Sequence, residues 1–344
     1  MNEKNGRRLG DTLGLLLKYE KLTLGAILAV TMISFQMLNS NYLALGNITN
    51  IFIAASSAGI VAIGQTYLMI SGHMDLSAGA VAAFSGVLAA TLIKLGVNPY
   101  VAIVIVLLSG IAIGALNGFL VTVLRFNHFI ATLATQYIFR GFAYILCNGK
   151  SVYVNDPRFS ALGARIMNNT LPISVIIMLG VMLVFGIMLA RTRFGRSIYM
   201  VGGNTNAARL AGISERKTKM ILFSICGCMS ALAGIVIAGR MQSGQPASSD
   251  GLEFDAITGA VLGGVGLMGG TGDMIGCLIG LLIMTGFNNG LQVMNVQSFW
   301  QKVARGLLLI VALGLDYYRT VQSQKVKITR TEAPAAAAPA AEQK

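Results

Sequence analysis

The sequence predicts an all-α polytopic membrane protein of about ten transmembrane helices, carrying an inverted repeat and short re-entrant or broken helices. Three observations predict it. Hydrophobic residues make up 55% of the 344 and charged residues only 11%, against roughly a quarter charged in soluble domains. Apolar stretches close to one bilayer crossing in length recur along the chain. A short element, Asp75-Leu76-Ser77-Ala78-Gly79-Ala80-Val81, returns without a gap as Asp255-Ala256-Ile257-Thr258-Gly259-Ala260-Val261. Charge places the two copies on opposite sides of the membrane, the mark of an inverted repeat.

The spans are expected near 22–38, 51–71, 76–95, 99–124, 128–147, 171–190, 219–239, 257–271, 273–290 and 303–318. The eighth and ninth are short and glycine-rich, which suits a broken or re-entrant segment. Gly110, Gly114 and Gly118, and later Gly276 and Gly280, fall four apart. That spacing predicts close helix packing. An even number of spans puts both termini on one side. With the N-terminus inside, most of the 26 basic residues fall on the cytoplasmic side, so the expectation is N-in and C-in. Lys150, Arg158 and Arg165 dissent in an outer loop and are outnumbered. The net charge of +13 is then loop charge, and no nucleic-acid partner is implied. Residues 1–21 are expected as a cytoplasmic segment leading into an uncleaved anchor, 22–318 as the transmembrane domain and 319–344 as a disordered cytoplasmic tail.

Chemistry-bearing residues are sparse. Cys147, Cys226, Cys228 and Cys277 lack metal-site spacing and only two histidines exist, so the cysteines read as structural and no metal is expected. Asp75 lies between two spans and has two readings. It caps the helix that follows, with Asp255 doing likewise near 256, or it lines a pathway. None of the 13 acidic residues falls clearly at mid-span, which argues against ion coupling. No phosphate-binding G-x-x-x-x-G-K-[ST] occurs, so any ATP would have to be bound by another polypeptide. The one substantial cytoplasmic segment, 191–219, opens with a basic turn, passes Gly202-Gly203-Asn204 and predicts a short helix over 206–211, stopped by Gly212. Small residues on one side of such a helix suit docking into a partner's groove.

At this loop the sequence is similar to a known family. TRFGRSIYMVGGNTNAARLAGI (192–213) resembles a signature of ribose-type ABC importer permeases. GHMDLSAGA, FIATLATQYIFRG (129–141) and GLEFDAITGAVLGGVGLMGGTGDMIGCLIG (251–280) resemble three further elements of the family, in the same order over roughly residues 45–316. The chain departs from the pattern twice, at His73-Met74 and at Asn127-His128. An imidazole at either place could sense pH or serve as an ordinary interfacial group. The resemblance implies a bacterial inner-membrane permease with three kinds of partner. These are a cytoplasmic sugar-type ABC ATPase carrying ATP and Mg, a periplasmic solute-binding protein, and a second permease copy or homologue. Neither cofactor nor catalytic residue is expected in this chain itself. Gly202, Gly203, Asn204, Ala207, Ala208, Arg209 and Gly212 carry over as the ATPase-coupling core.

A monosaccharide-like solute needs hydrogen-bonding groups without fixed charge. The pathway candidates are therefore neutral polar residues within spans: Gln65, Asn117, Thr132, Gln136, Asn288 and Asn289, with Asp75 beside them. A gradient-driven sugar carrier is the alternative. A membrane enzyme lacks any clustered Asp, His or Cys. Nucleoside and branched-chain amino acid permeases share the coarse architecture, but the R-L-x-G-I and D-L-S-x-G elements favour the sugar branch. Pentoses, hexoses, inositols and furanose signals all stay open.

Overall fold

The computed structural model describes residues 20–166 and 171–331. Long helices dominate because apolar segments in lipid must satisfy their backbone groups internally. In chain order they are α1 (Glu20–Leu38), α2 (Leu45–Ile70), α3 (Ala78–Lys94), α4 (Pro99–Thr122) and α5 (His128–Leu146). Then follow short α6 (Pro157–Ser160), α7 (Ile173–Arg191), α8 (Arg193–Gly203), α9 (Thr205–Leu210) and α10 (Glu215–Met241). The chain closes with α11 (Leu252–Leu262), α12 (Met274–Val293) and α13 (Ser298–Thr331). The only strands among the described residues are two two-residue pairs, β1 (Val152–Tyr153) on β4 (Ser243–Gly244) and β2 (Arg165–Ile166) on β3 (Leu171–Pro172).

Eight of these helices are long and apolar enough to cross a membrane, and α3 is a shorter apolar helix. Each of the ten expected segments contains helix, but the third, of 17 residues, and the eighth are cut short. The eighth, expected over 257–271, is helical only over the 11 residues of α11. At 1.5 Å per residue that is about 16 Å, half a hydrocarbon core. Gly263 ends it, and an irregular stretch runs to Asp273. The ninth is an unbroken helix of 20 residues. The N-terminal segment 1–19 lies outside the described residues, as does 332–344. The span expected to end at 318 runs on as helix to Thr331. Residues 319–331 contain neither glycine nor proline to interrupt it.

α2 and α10 form the buried centre and cross where Gly64 meets Cys226. Packing partners exchange as inverted repeats require: α3 lies on α10 while α11 lies on α2, and α4 pairs with α10 while α12 pairs with α2. α4 meets α10 through Gly110, Gly114 and Gly118, against Gly227, Phe223 and Met220. α1 runs parallel to α12, their starts tied by Lys21 to Asp273 at 3.1 Å and their ends by Asn39 Nδ2 donating to Val293 O. α13 grips α11 through an Arg305–Asp255 pair at 3.5 Å, and Leu267 N donates to Asp316. Asp255 therefore does not cap a helix. It sits inside the first turn of α11, whose N-cap is Gly251.

A Cβ at Gly114 would overlap the Phe223 carbonyl oxygen, whereas Gly180 on α7 faces open space. Gly114→Ala should cost about 1–3 kcal/mol by overpacking. Gly180→Ala should be neutral or stabilising by up to about 1 kcal/mol through helix propensity. Melting curves of the two variants in detergent check this.

Candidate functional site

The break before α3 is held by side chains from three other helices. The chain leaves α2 at Ile70 and turns back beside it. Gln65 on α2 donates from Nε2 to the Asp75 carbonyl at 2.5 Å, and Asp75 N donates to Gln65 Oε1 at 3.3 Å. Leu76 N donates to Thr132 Oγ1 on α5 at 3.1 Å. Ser77 donates to Asp75 Oδ1 from both N and Oγ, at 2.8 and 2.5 Å. Asn117 Nδ2 on α4 donates to Ser77 Oγ at 2.9 Å and reaches Asp75 Oδ2 at 3.3 Å. Gln65, Asp75, Asn117 and Thr132 thus meet in one knot, and all four are buried. Asp75 does not cap α3, which begins at Ala78 with Ser77 at its N-cap position. Its carboxylate closes the turn two residues earlier, where donors from Ser77 and Asn117 offset the cost of burial.

The second break, before α11, is held from the same helix. Gln136 lies one turn beyond Thr132 on α5 and donates to Glu253 Oε1 at 3.1 Å. Arg140 lies one turn further and donates to the carbonyls of Pro246 and Ser248 at 2.8 and 2.7 Å. These bonds hold the irregular stretch that descends from β4. Glu253 then lies against the first turn of α3, because a Cβ on Gly79 would land on its carboxylate. The N-termini of two shortened helices therefore meet inside the protein, and a carboxylate is favourable beside such free N–H groups. Glu253 is buried, as Asp75 is, so two of the acids expected outside mid-span are enclosed by protein. Sequence reasoning missed Arg140 and Glu253. The four-residue spacing of Thr132, Gln136 and Arg140 was the available signal.

The other two pathway candidates lie apart from this knot. Asn289 exchanges amide hydrogen bonds with Asn47 at 2.7 and 3.0 Å, joining α12 to α2. Asn288 is buried beside it with Oδ1 unpartnered. The two departures from the family pattern touch: His73 and His128 pack with ring centroids 5.0 Å apart. Burial, then the charge of Lys219, push the His73 imidazole down to about 4. Its ring is neutral throughout the physiological range, where an endosomal-type sensor would need to titrate.

The expected coupling element is two helices folded over the Ile70 end of the bundle. Thr192 caps α8 by accepting from Gly195 N, and Asn204 caps α9 by accepting from Ala207 N at 3.0 Å. α9 stops as predicted at Gly212, whose φ of +77° suits glycine. Gly212 N donates to Arg209 O and Ile213 N to Ala208 O, closing the end. Gly202 packs flush on the Ile70 carbonyl, which also accepts from Gly270 N at 2.8 Å. Tyr199 Oη donates to Gly272 O at 2.6 Å. Gly203, Asn204, Ala207, Arg209 and Gly212 are exposed, and Gly202 is half-buried. Ala208 faces inward and is fully buried, while its neighbour Leu210 is 91% exposed.

The knot around Asp75 makes a specific demand on charge. Asp75→Asn turns an amide N–H₂ toward Asn117's own N–H₂ and should cost about 1–3 kcal/mol. The exchange Asp75→Asn with Asn117→Asp should recover part of that loss, read from unfolding in detergent.

A family model described as branched-chain amino acid transport system / permease component matches residues 47–313. The L-arabinose transport system permease protein AraH of Escherichia coli (strain K12) is 38% identical over 88% of this chain and 91% of its own. The ribose import permease protein RbsC of Bacillus subtilis (strain 168) is 37% identical over 85% and 91%. The L-arabinose ABC transporter permease protein AraH of Azospirillum brasilense is 37% identical over 84% and 85%. No solved structure matches. A family model covering most of the chain and relatives of this identity place the protein without ambiguity: it belongs to the family of ABC transporter permeases that includes the L-arabinose and ribose permeases.

Proposed function

We propose that this chain is the membrane-spanning subunit of an ATP-driven importer that passes a monosaccharide-like solute inward by alternating access. A periplasmic binding protein delivers the solute. A cytoplasmic ATPase with ATP and Mg supplies the power, and two permease copies, or one copy and a homologue, form the channel. The Ile70 end is cytoplasmic on this reading, because α8, α9 and the start of α10 carry the densest run of loop cations. Both termini are then inside.

The observation that carries the proposal is the seat of the α8–α9 element. It rests on Ile70 and on Gly269–Gly270, the chain ends that lead into the α3 break and out of α11. A push on α9 from below is therefore delivered to both shortened helices at once. Rigid elements with two arrangements transmit such motion. The seven residues from Gly202 to Gly212 form the seat and its caps. Leu210 is the apolar contact offered to the ATPase.

The broken helices favour a neutral solute. In transporters, half-helix N-termini commonly receive an anionic group of the substrate. Here Asp75 and Glu253 already occupy those positions. Glu253 Oε2, Arg140 Nη2 and Ser249 Oγ are buried without partners, a set suited to sugar hydroxyls. Gln136 belongs to this group, and Gln65, Asn117 and Thr132 hold it in place. An amino acid, with its own carboxylate, fits this site poorly.

Leu210→Glu should leave the melting temperature unchanged, since the side chain touches almost nothing. It should cut co-purification of the ATPase at least tenfold and abolish uptake in vesicles. Undiminished binding and uptake would remove α9 from the coupling route. Uphill uptake by the purified permease without any ATPase would replace the proposal with a gradient-driven carrier.

A further inference from the structure

Beside the α8–α9 seat lies a cavity of about 570 Å³. Its wall comes from three distant stretches: His73 at the helix break, Arg125 beyond the end of α4, and Arg209, Glu215, Arg216 and Lys219 around the start of α10. Four permanent cations therefore face one carboxylate. That carboxylate is already engaged, because Glu215 pairs with Lys219 at 2.5 Å and with Arg209 at 3.8 Å. Among the described residues, neither Arg125 nor Arg216 has a carboxylate within 4.0 Å.

Loop cations at a cytoplasmic end are ordinary, and scattered ones would need no explanation. These converge instead. Arg125 is held at the wall with φ of +60°, a left-handed conformation. Such backbone is strained for a residue other than glycine. Hydrogen bonds from Leu124 N to Phe119 O and from Phe126 N to Leu120 O fix the chain on either side of it. Converging like charges repel unless an anion sits between them. Two guanidinium forks suit phosphate oxygens in particular.

We propose that this cavity binds a phosphate-bearing anion. Two sources bring that group to the end of a membrane protein: the headgroup of an anionic phospholipid and a soluble phosphate. Basic pockets between helix ends on the cytoplasmic side are a known habitat of lipid headgroups. Exposed Leu124 and Phe126 flank Arg125, which favours the lipid source. The proposal does not depend on which solute is carried.

The test is a melting series on the full-length permease in neutral detergent. Phosphatidylglycerol, phosphatidylcholine and inorganic phosphate are titrated separately, with chloride as the ionic-strength control. The variants are Arg216→Gln, which is exposed, and Arg125→Asn, which tolerates a left-handed backbone. The expected result is a saturable upward shift with phosphatidylglycerol, none with phosphatidylcholine, and at least a tenfold loss of apparent affinity in each variant. The same shift with inorganic phosphate assigns the site to a soluble anion. If neither anion shifts the melting point, or if both variants shift as the natural chain does, the proposal is overturned. Because the shift is measured against each variant's own baseline, a variant that melts lower still reports on binding.

Discussion

A helix that begins inside a membrane domain leaves its first N–H groups without partners, and this protein has two such helices side by side. One polar stripe on α5 holds both. Thr132 accepts from the turn before α3, Gln136 donates to Glu253 at the start of α11, and Arg140 donates to the stretch leading into α11. Residues four apart on a helix share a face, so the order of the three contacts along α5 sets the depth of each break. Buried hydrogen bonds of this kind are costly to leave half made. The breaks are accordingly specified as a pair.

This arrangement explains why the α8–α9 element sits where it does. Below one break, α2 ends at Ile70; below the other, α11 hands over to the Gly263–Asp273 stretch. Gly202 touches both, and only a residue without a side chain lets α8 lie flush on the Ile70 carbonyl. The long helices α2 and α10 stay locked by close contacts such as Gly64 on Cys226. Motion is therefore cheapest in the two short helices α3 and α11.

Much of this was legible in the residues. Bilayer thickness forces apolar runs of a fixed length, so all ten segments were found near their places. The capping logic of Asn204 and Gly212 is local, and α9 began and ended within a residue of expectation. What escaped depended on contacts between remote segments. Glu253 was counted only among the acids outside mid-span, because the descent from β4 into the interior has no hydropathy signature. Arg140 looked like a motif residue because its partners are backbone carbonyls, which no sequence pattern marks. Asp75 was placed at a helix start, yet its carboxylate engages Ser77 and delays the helix to Ala78. Gln65, Asn117 and Thr132 were chosen as polar residues in apolar spans, and that reasoning found three arms of one knot.

The pairing of the two breaks through α5 is tested most directly by hydrogen exchange on Arg140→Gln. Peptides covering 243–251 lose their two carbonyl anchors outright. If α5 holds both breaks in register, exchange should rise there and also in 73–81, through Gln136, Glu253 and Gly79. A rise confined to 243–251, or no rise in either peptide, would contradict the account.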